Sequence, residues 1–261
     1  MRKLIWMLLF AGPLAAQNYG SYSNAPVARP QFLRSPSAAN GNVLSDSSLV
    51  GWWPLASATG PAASDMSGKG NHGAWSGTKA GTNGYWSSGK TGPWAGYFNG
   101  SNDYVDVPYA SAFDTGTFTL VLWVYPTSFS SQSVYYPWSR WSASLGLALG
   151  IQGTYSTCGS GAAGYPYMLF NNTALCGTAA LPLNKWSLLA AAYDGTTAAL
   201  YVNGTLVNSA AETFTNQARD INIGRRSDGV WYFPGKITGV RFYNTAKAAG
   251  LIQTIYNTEN R

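Results

Sequence analysis

Charge is scarce in this 261-residue chain, with only 10% of it Asp, Glu, Lys or Arg, against about 25% in ordinary globular proteins. Glutamate occurs twice, at Glu212 and Glu259, and histidine once, at His72. That scarcity excludes a coiled coil and an acidic disordered tail, both of which need many charges. The net charge is +6, from sixteen basic and ten acidic residues. The densest basic point is the single pair Arg225-Arg226, so no nucleic-acid partner is expected. One histidine and two cysteines are too few for a zinc centre. No apolar run reaches the roughly 20 residues of a membrane span, so no span is expected.

What is plentiful is Gly (30), Tyr (17) and Trp (11). Few Glu and Lys beside many aromatics is a strand-rich composition. The amino terminus opens with Arg2 and Lys3, an apolar run Leu4 to Ala11, and the small-residue exit Leu14-Ala15-Ala16. This reads as a signal peptide over 1–16, implying export to the medium, periplasm or cell surface. Residues 17–47, rich in Asn, Ser, Pro and Gly, read as a flexible arm. After export, Cys158 and Cys176 are expected to form a disulfide closing a short Gly-rich excursion.

Strand patterns begin at Ser48-Leu49-Val50-Gly51-Trp52-Trp53-Pro54-Leu55. Residues 56–94 read as loop. Further strands are expected at 95–98, 104–107, 117–125, 135–141, 145–151, 185–193, 197–202, 205–209, 220–224 and 235–243. Asp194-Gly195 and Asn203-Gly204 mark consecutive hairpins, and Asn99-Gly100 marks a tight turn. One amphipathic helix is expected at 246–256, with Leu251, Ile252, Ile255 and Tyr256 on one face. Many short antiparallel strands with turn dipeptides give an all-β sandwich or jelly roll.

Longer stretches carry a family likeness. They are Val50-Gly51-Trp52-Trp53-Pro54-Leu55, Asp65-Met66-Ser67-Gly68-Lys69-Gly70-Asn71-His72-Gly73, and Tyr97-Phe98-Asn99-Gly100-Ser101-Asn102-Asp103-Tyr104-Val105. Phe118-Thr119-Leu120-Val121-Leu122-Trp123-Val124-Tyr125-Pro126, Tyr193-Asp194-Gly195, Leu200-Tyr201-Val202-Asn203-Gly204 and Gly235-Lys236-Ile237-Thr238-Gly239-Val240-Arg241-Phe242-Tyr243-Asn244 continue it. In order and spacing they resemble the laminin G-like, concanavalin A-like lectin/glucanase jelly roll of secreted bacterial proteins, over residues 48–257, with a tail at 258–261. The resemblance implies two stacked antiparallel sheets, one curved into a concave face, and one short C-terminal helix. It implies a module that binds glycans or proteins. It also implies a structural calcium, with Asp65, Asn71 and Thr238 as the matching positions. Thr238 and Gly239 depart from the acidic residue common there, and Leu251 replaces another acidic position in the helix.

The 65–73 loop lacks EF-hand spacing. Glycoside hydrolysis needs two carboxylates flanking one bond. Asp103 and Asp106 stand an odd number of residues apart, which points them to opposite strand faces. The Glu-x-Asp-x-x-Glu strand of related glucanases is absent. His72 has no Gly-x-Ser-x-Gly elbow to serve, and Gly68 to Gly73 lacks the Gly-Lys-Ser/Thr end of a phosphate loop. A non-catalytic role is therefore expected. Aromatic rings suit the apolar faces of sugars, with polar neighbours setting orientation. Trp123 and Trp186 read as core. Two clusters, Tyr136, Trp138, Arg140 and Trp141, then Trp231 and Tyr232, either line a binding face or fill the sandwich. The expected partner is a polysaccharide or cell-surface glycan, and the alternative is an extracellular protein or matrix.

Overall fold

A computed structural model describes residues 46–56, 62–79, 85–142, 144–155 and 157–261. The expected signal peptide, and the expected arm up to residue 45, lie outside the described residues. The strands are β1 (Leu49–Trp53), β2 (Ala62–Ala63), β3 (Gly73–Ser76), β4 (Tyr85–Ser87), β5 (Trp94–Asn99), β6 (Tyr104–Val107), β7 (Phe118–Pro126) and β8 (Val134–Ser142). There follow β9 (Leu145–Gln152), β10 (Pro166–Phe170), β11 (Thr173–Cys176), β12 (Ser187–Tyr193), β13 (Thr197–Val202), β14 (Thr205–Ala211), β15 (Ile221–Ile223) and β16 (Pro234–Tyr243), then helix α1 (Ala249–Glu259).

All strand pairs among the described residues are antiparallel. The first sheet runs β14-β13-β12-β7-β16-β5-β4, with β1 paired to the far half of β16. The second runs β11-β10-β9-β8-β15-β6-β3-β2. This is the expected jelly-roll sandwich. The 56–94 stretch, expected as loop, contributes three short strands, β2, β3 and β4. The turn dipeptides act differently. Asn203 (φ 52°) and Gly204 (φ 79°) both take the left-handed region, as the β13–β14 hairpin requires. Asn99-Gly100 instead carries the chain from the first sheet to the second. There the Asn99 side-chain oxygen accepts the backbone N–H groups of Ser101, Asn102 and Asp103.

Alternation along each strand sorts the side chains. Leu120, Leu122 and Val124 of β7 point between the sheets with Leu189, Leu147, Leu149, Met168 and Phe242. Val121 and Trp123 point outward and are roofed by Ile252 and Ile255 of α1, a burial worth roughly 2 kcal/mol per isoleucine. The helix keeps the expected apolar face but runs to Glu259. Glu259, expected in a frayed tail, is instead held at the sheet surface by Arg241 and Trp123.

Candidate functional site

The outer face of the second sheet gathers the aromatic residues. Its arrangement turns on an irregularity in β8. Tyr135 faces Ile151 of β9 and Trp138 faces Leu149, so three steps on one strand meet two on the other. This is a β-bulge. Pro137, which has no N–H to give the ladder, sits inside it. The bulge resets the alternation. Tyr135 and Trp138 both turn into the core, while Tyr136 and Trp141 turn outward.

Trp138 is thereby removed from any binding face. It is fully buried, its ring stacked on Phe242 at 5.9 Å and 9°. Arg140, two residues on, also points inward. It donates to the backbone oxygens of Phe113 and Arg219 and pairs with Asp114. Burial works against the charge on Asp114, but hydrogen bonds from Tyr109 and Arg140 outweigh it and lower its pKa. These two expected contact residues are structural.

Of the other four, Tyr136, Trp141 and Trp231 come together, while the Tyr232 ring lies 6.4 Å from that of Tyr104. Tyr136 and Trp141 form a floor with Tyr167 and Leu169, against which Trp231 and the Cys158–Cys176 disulfide pack. Tyr167 lies flat on the sheet because its cross-strand partner is Gly150, where a Cβ would fall 2.2 Å from the ring. Burial pushes the Tyr167 phenol well above its ordinary range, and burial likewise raises Tyr136.

Arg226 lies over Trp141 (4.6 Å) and Tyr136 (5.7 Å) and binds Asp228 through two hydrogen bonds. Burial opposes its charge, yet Asp228 more than restores it. Trp231 takes φ 60°, a left-handed conformation that costs a non-glycine residue about 1 kcal/mol or more. Its carbonyl accepts the Tyr136 N–H at 3.3 Å. The tight 226–230 turn (Arg226 N–H to Val230 O, Gly229 N–H to Arg226 O) imposes this conformation. Trp231 and Tyr232 remain half-buried at the rim.

Beside this floor runs a polar strip absent from the expected site. Arg225 stacks on Tyr104 with its Cζ 3.4 Å from the ring centroid, and its Nε donates to Asn222. Asn222 in turn donates to Asp106 at 2.5 Å. Burial raises the Asp106 pKa, reinforced by the charge of Asp220. Tyr104 and Asp106 alternate with buried Val105 and Val107, a readable signal that both face outward. Their meeting with Asn222 depends on the β6–β15 pairing, which no local pattern encodes. Flat rings beside fixed donors and acceptors suit a polyhydroxylated ligand, held by stacking and hydrogen bonds.

Residues 99–253 match the Laminin_G_3 family, described as the concanavalin A-like lectin/glucanases superfamily. The chain belongs to this superfamily. No curated protein matches the sequence. Among solved structures it is similar to domain 4 of AbnA, an extracellular arabinanase from Geobacillus stearothermophilus, in complex with arabinotriose. That match has 17% identity and TM-score 0.59, over 80% of this chain and 98% of that one. It is also similar to Trypanosoma rangeli sialidase (18%, TM-score 0.59, 85% of this chain and 34% of that one). A third is the binding domain of Botulinum Neurotoxin DC in complex with SialylT (12%, TM-score 0.58, 82% and 52%). The chain thus spans about a third of the sialidase and half of the toxin domain. At these identities the likeness is one of fold.

The calcium that a lectin/glucanase-type fold implies can be tested on the three matching positions. Asp65 is buried, and its two oxygens already accept four hydrogen bonds: Trp52 N–H (2.8 Å), Ser67 N–H (2.9 Å), Ser67 O–H (2.8 Å) and Asn71 N–H (2.9 Å). Four is all that a carboxylate takes. Asn71 donates its side-chain N–H to Val50 O, and Thr238 donates to Pro54 O at 2.6 Å. As placed, these residues pin a loop and do not offer a cation the six to eight oxygens of calcium. Among the described residues no cluster of three or more His, Cys, Asp or Glu stands ready for a metal. His72 accepts the Asp65 N–H at Nδ1 and belongs to the same loop. No described helix is long and apolar enough to cross a membrane.

Proposed function

We propose that the protein is a secreted, non-catalytic glycan-binding module. Its contact surface is the outer face of the second sheet, centred on Trp231 and Tyr232, with Arg225, Arg226, Tyr104 and Asp106 around them. The observation that carries this reading is Trp231 itself. A tight turn holds a large ring at the rim in a left-handed backbone conformation. Conformational strain of that kind concentrates where a side chain must be presented. The arabinotriose and SialylT in the complexes of its fold relatives support sugars as the ligand class and supply the first probes.

The test is binding to arabino-oligosaccharides, sialylated glycans and a panel of neutral polysaccharides, read by calorimetry. Binding to a narrow class that drops about tenfold or more in Trp231→Ala, with a cooperative melt showing that the variant is folded at the assay temperature, supports the proposal. An unaltered affinity in that variant overturns the placement of the site. A folded protein that binds no glycan overturns the function in favour of a protein or matrix partner. Release of reducing ends during the same incubations would overturn the non-catalytic reading.

A further inference from the structure

The opposite side of the sandwich carries a second organised row. On the outer face of the first sheet, Lys236 of β16 stands directly between Tyr97 of β5 and Tyr125 of β7. Trp186 continues the row, since the next residue, Ser187, pairs with Val124. The rings of Tyr125 and Trp186 meet edge-on at 5.4 Å. Four neighbouring positions at an interstrand spacing of ~4.8 Å make a strip ~14 Å long. All four side chains are half-buried, so each presents part of its surface.

Cations overlie this face. The Lys236 ammonium sits 4.8 Å from the Tyr125 ring centroid, and Lys90 sits 5.1 Å from that of Trp123. Lys185 is exposed next to Trp186 in the chain. The ion pairs among the described residues engage Asp46, Asp114, Asp228 and Glu259 with other partners. Among the described residues neither Lys90 nor Lys236 has an ion-pair partner. Helix α1 roofs the neighbouring Val121, Leu188 and Tyr201, and Trp186 packs against the edge of that cluster.

We propose that this row is a second binding surface, for an acidic polysaccharide chain. Ring faces would stack on the sugars, while Lys236, with Lys90 nearby over Trp123, would pair with the carboxylate or sulfate groups. Ammonium groups held over rings with no protein anion are complementary in charge to such a chain, and a neutral glycan would leave them unpaired. With sites on opposite sheets, the protein would be able to join two polysaccharides. This surface is independent of the Trp231 site, and each can fail alone.

The test is affinity electrophoresis of the purified protein in gels containing polygalacturonate, dextran sulfate or neutral dextran, at low and high salt. Retardation is expected in a charged gel and not in the neutral one. Polygalacturonate and dextran sulfate separate carboxylate from sulfate as the partner group. Lys236→Ala and Tyr125→Ala should each weaken retention about tenfold, the size of one charge-assisted contact. Lys236→Met, which keeps the apolar stem, should abolish most of the salt-dependent part even if Tyr125→Ala folds poorly. Absence of retardation in both charged gels overturns the proposal. So does an equal loss in Lys69→Ala, an exposed lysine away from the row, because that outcome means non-specific attraction to net positive charge.

Discussion

The Glu259 carboxylate accepts a hydrogen bond from the buried guanidinium of Arg241 at 2.5 Å, and another from Trp123 Nε1 at 2.7 Å. It thus closes the end of α1 onto the first sheet. Burial works against the Arg241 charge, and Glu259 is the partner that more than offsets it. Removing one member of such a pair leaves an uncompensated charge in the interior. Glu259→Ala should therefore lower stability by about 3 kcal/mol. The double variant Arg241→Met with Glu259→Gln should recover most of that loss. Urea unfolding checks both, through the shift in midpoint at constant slope. A loss below about 0.5 kcal/mol, the scale of ordinary surface changes, would mean that solvent already screens the pair.

Cys158 and Cys176 tie the 153–165 loop to β11 beside the aromatic floor of the second sheet. Closing a loop of 18 residues' separation restricts the unfolded chain by about 3 kcal/mol on the loop-entropy model. The pair variant Cys158→Ala with Cys176→Ala should lose about that much. Denaturant midpoints with and without reductant measure it. The variant should also be insensitive to reductant, whereas the parent should fall to the variant's midpoint. A parent indifferent to reductant under unfolding conditions would show that the bridge adds nothing to stability.

Most strands and their limits were legible because alternation and turn dipeptides act locally, although β10 and β11 were not expected. The β12–β13–β14 meander follows directly from Asp194-Gly195 and Asn203-Gly204. Helix α1 follows from the spacing of Leu251, Ile252, Ile255 and Tyr256. The site was only half legible. Simple alternation places Tyr136 and Trp138 on one face, and the bulge at Pro137 separates them. The proline was the available signal, since a strand interior cannot use a residue without an N–H. Arg140 and Glu259 were unreadable for another reason. Their partners lie 26 residues away at Asp114 and 18 away at Arg241, and burial of a charge depends on what the tertiary fold brings to it. The same holds for Asp65, whose oxygens are used up by backbone groups that no sequence motif names.

Trp231 offers a way to separate strain from contact. Glycine adopts φ 60° without penalty, so Trp231→Gly relieves the local cost while removing the ring. Its stability should stay within about 1 kcal/mol of the parent, because relief of strain offsets the lost packing on the aromatic floor. Trp231→Ala keeps the strain and loses the ring, so it should be the less stable of the two. Both should lose glycan affinity alike. Thermal melts and calorimetry on the same samples decide the matter. A glycine variant clearly less stable than the alanine variant would show that the turn does not strain this residue.

Asp106 sets a pH dependence whose sign follows from its surroundings. Burial, followed by the charge of Asp220, raises its pKa above the ordinary carboxylate value. A group whose folded pKa is raised binds its proton more tightly in the folded state than in the unfolded one. Its contribution is fully favourable below the unfolded value of about 3.9 and is lost as pH rises through the folded value. At neutral pH the ionised carboxylate therefore costs stability. Asp106→Asn removes that charge and keeps an oxygen to accept the Asn222 N–H. The variant should melt higher than the parent at pH 7, and the difference should shrink as pH falls through the raised folded pKa and be gone by about pH 4. Melting curves between those values test this. A difference that grows towards acid would mean that Arg225, stacked nearby on Tyr104, outweighs burial and holds Asp106 ionised. The carboxylate would then belong to the charged lining of the glycan site, and Asp106→Asn would weaken binding at neutral pH as well.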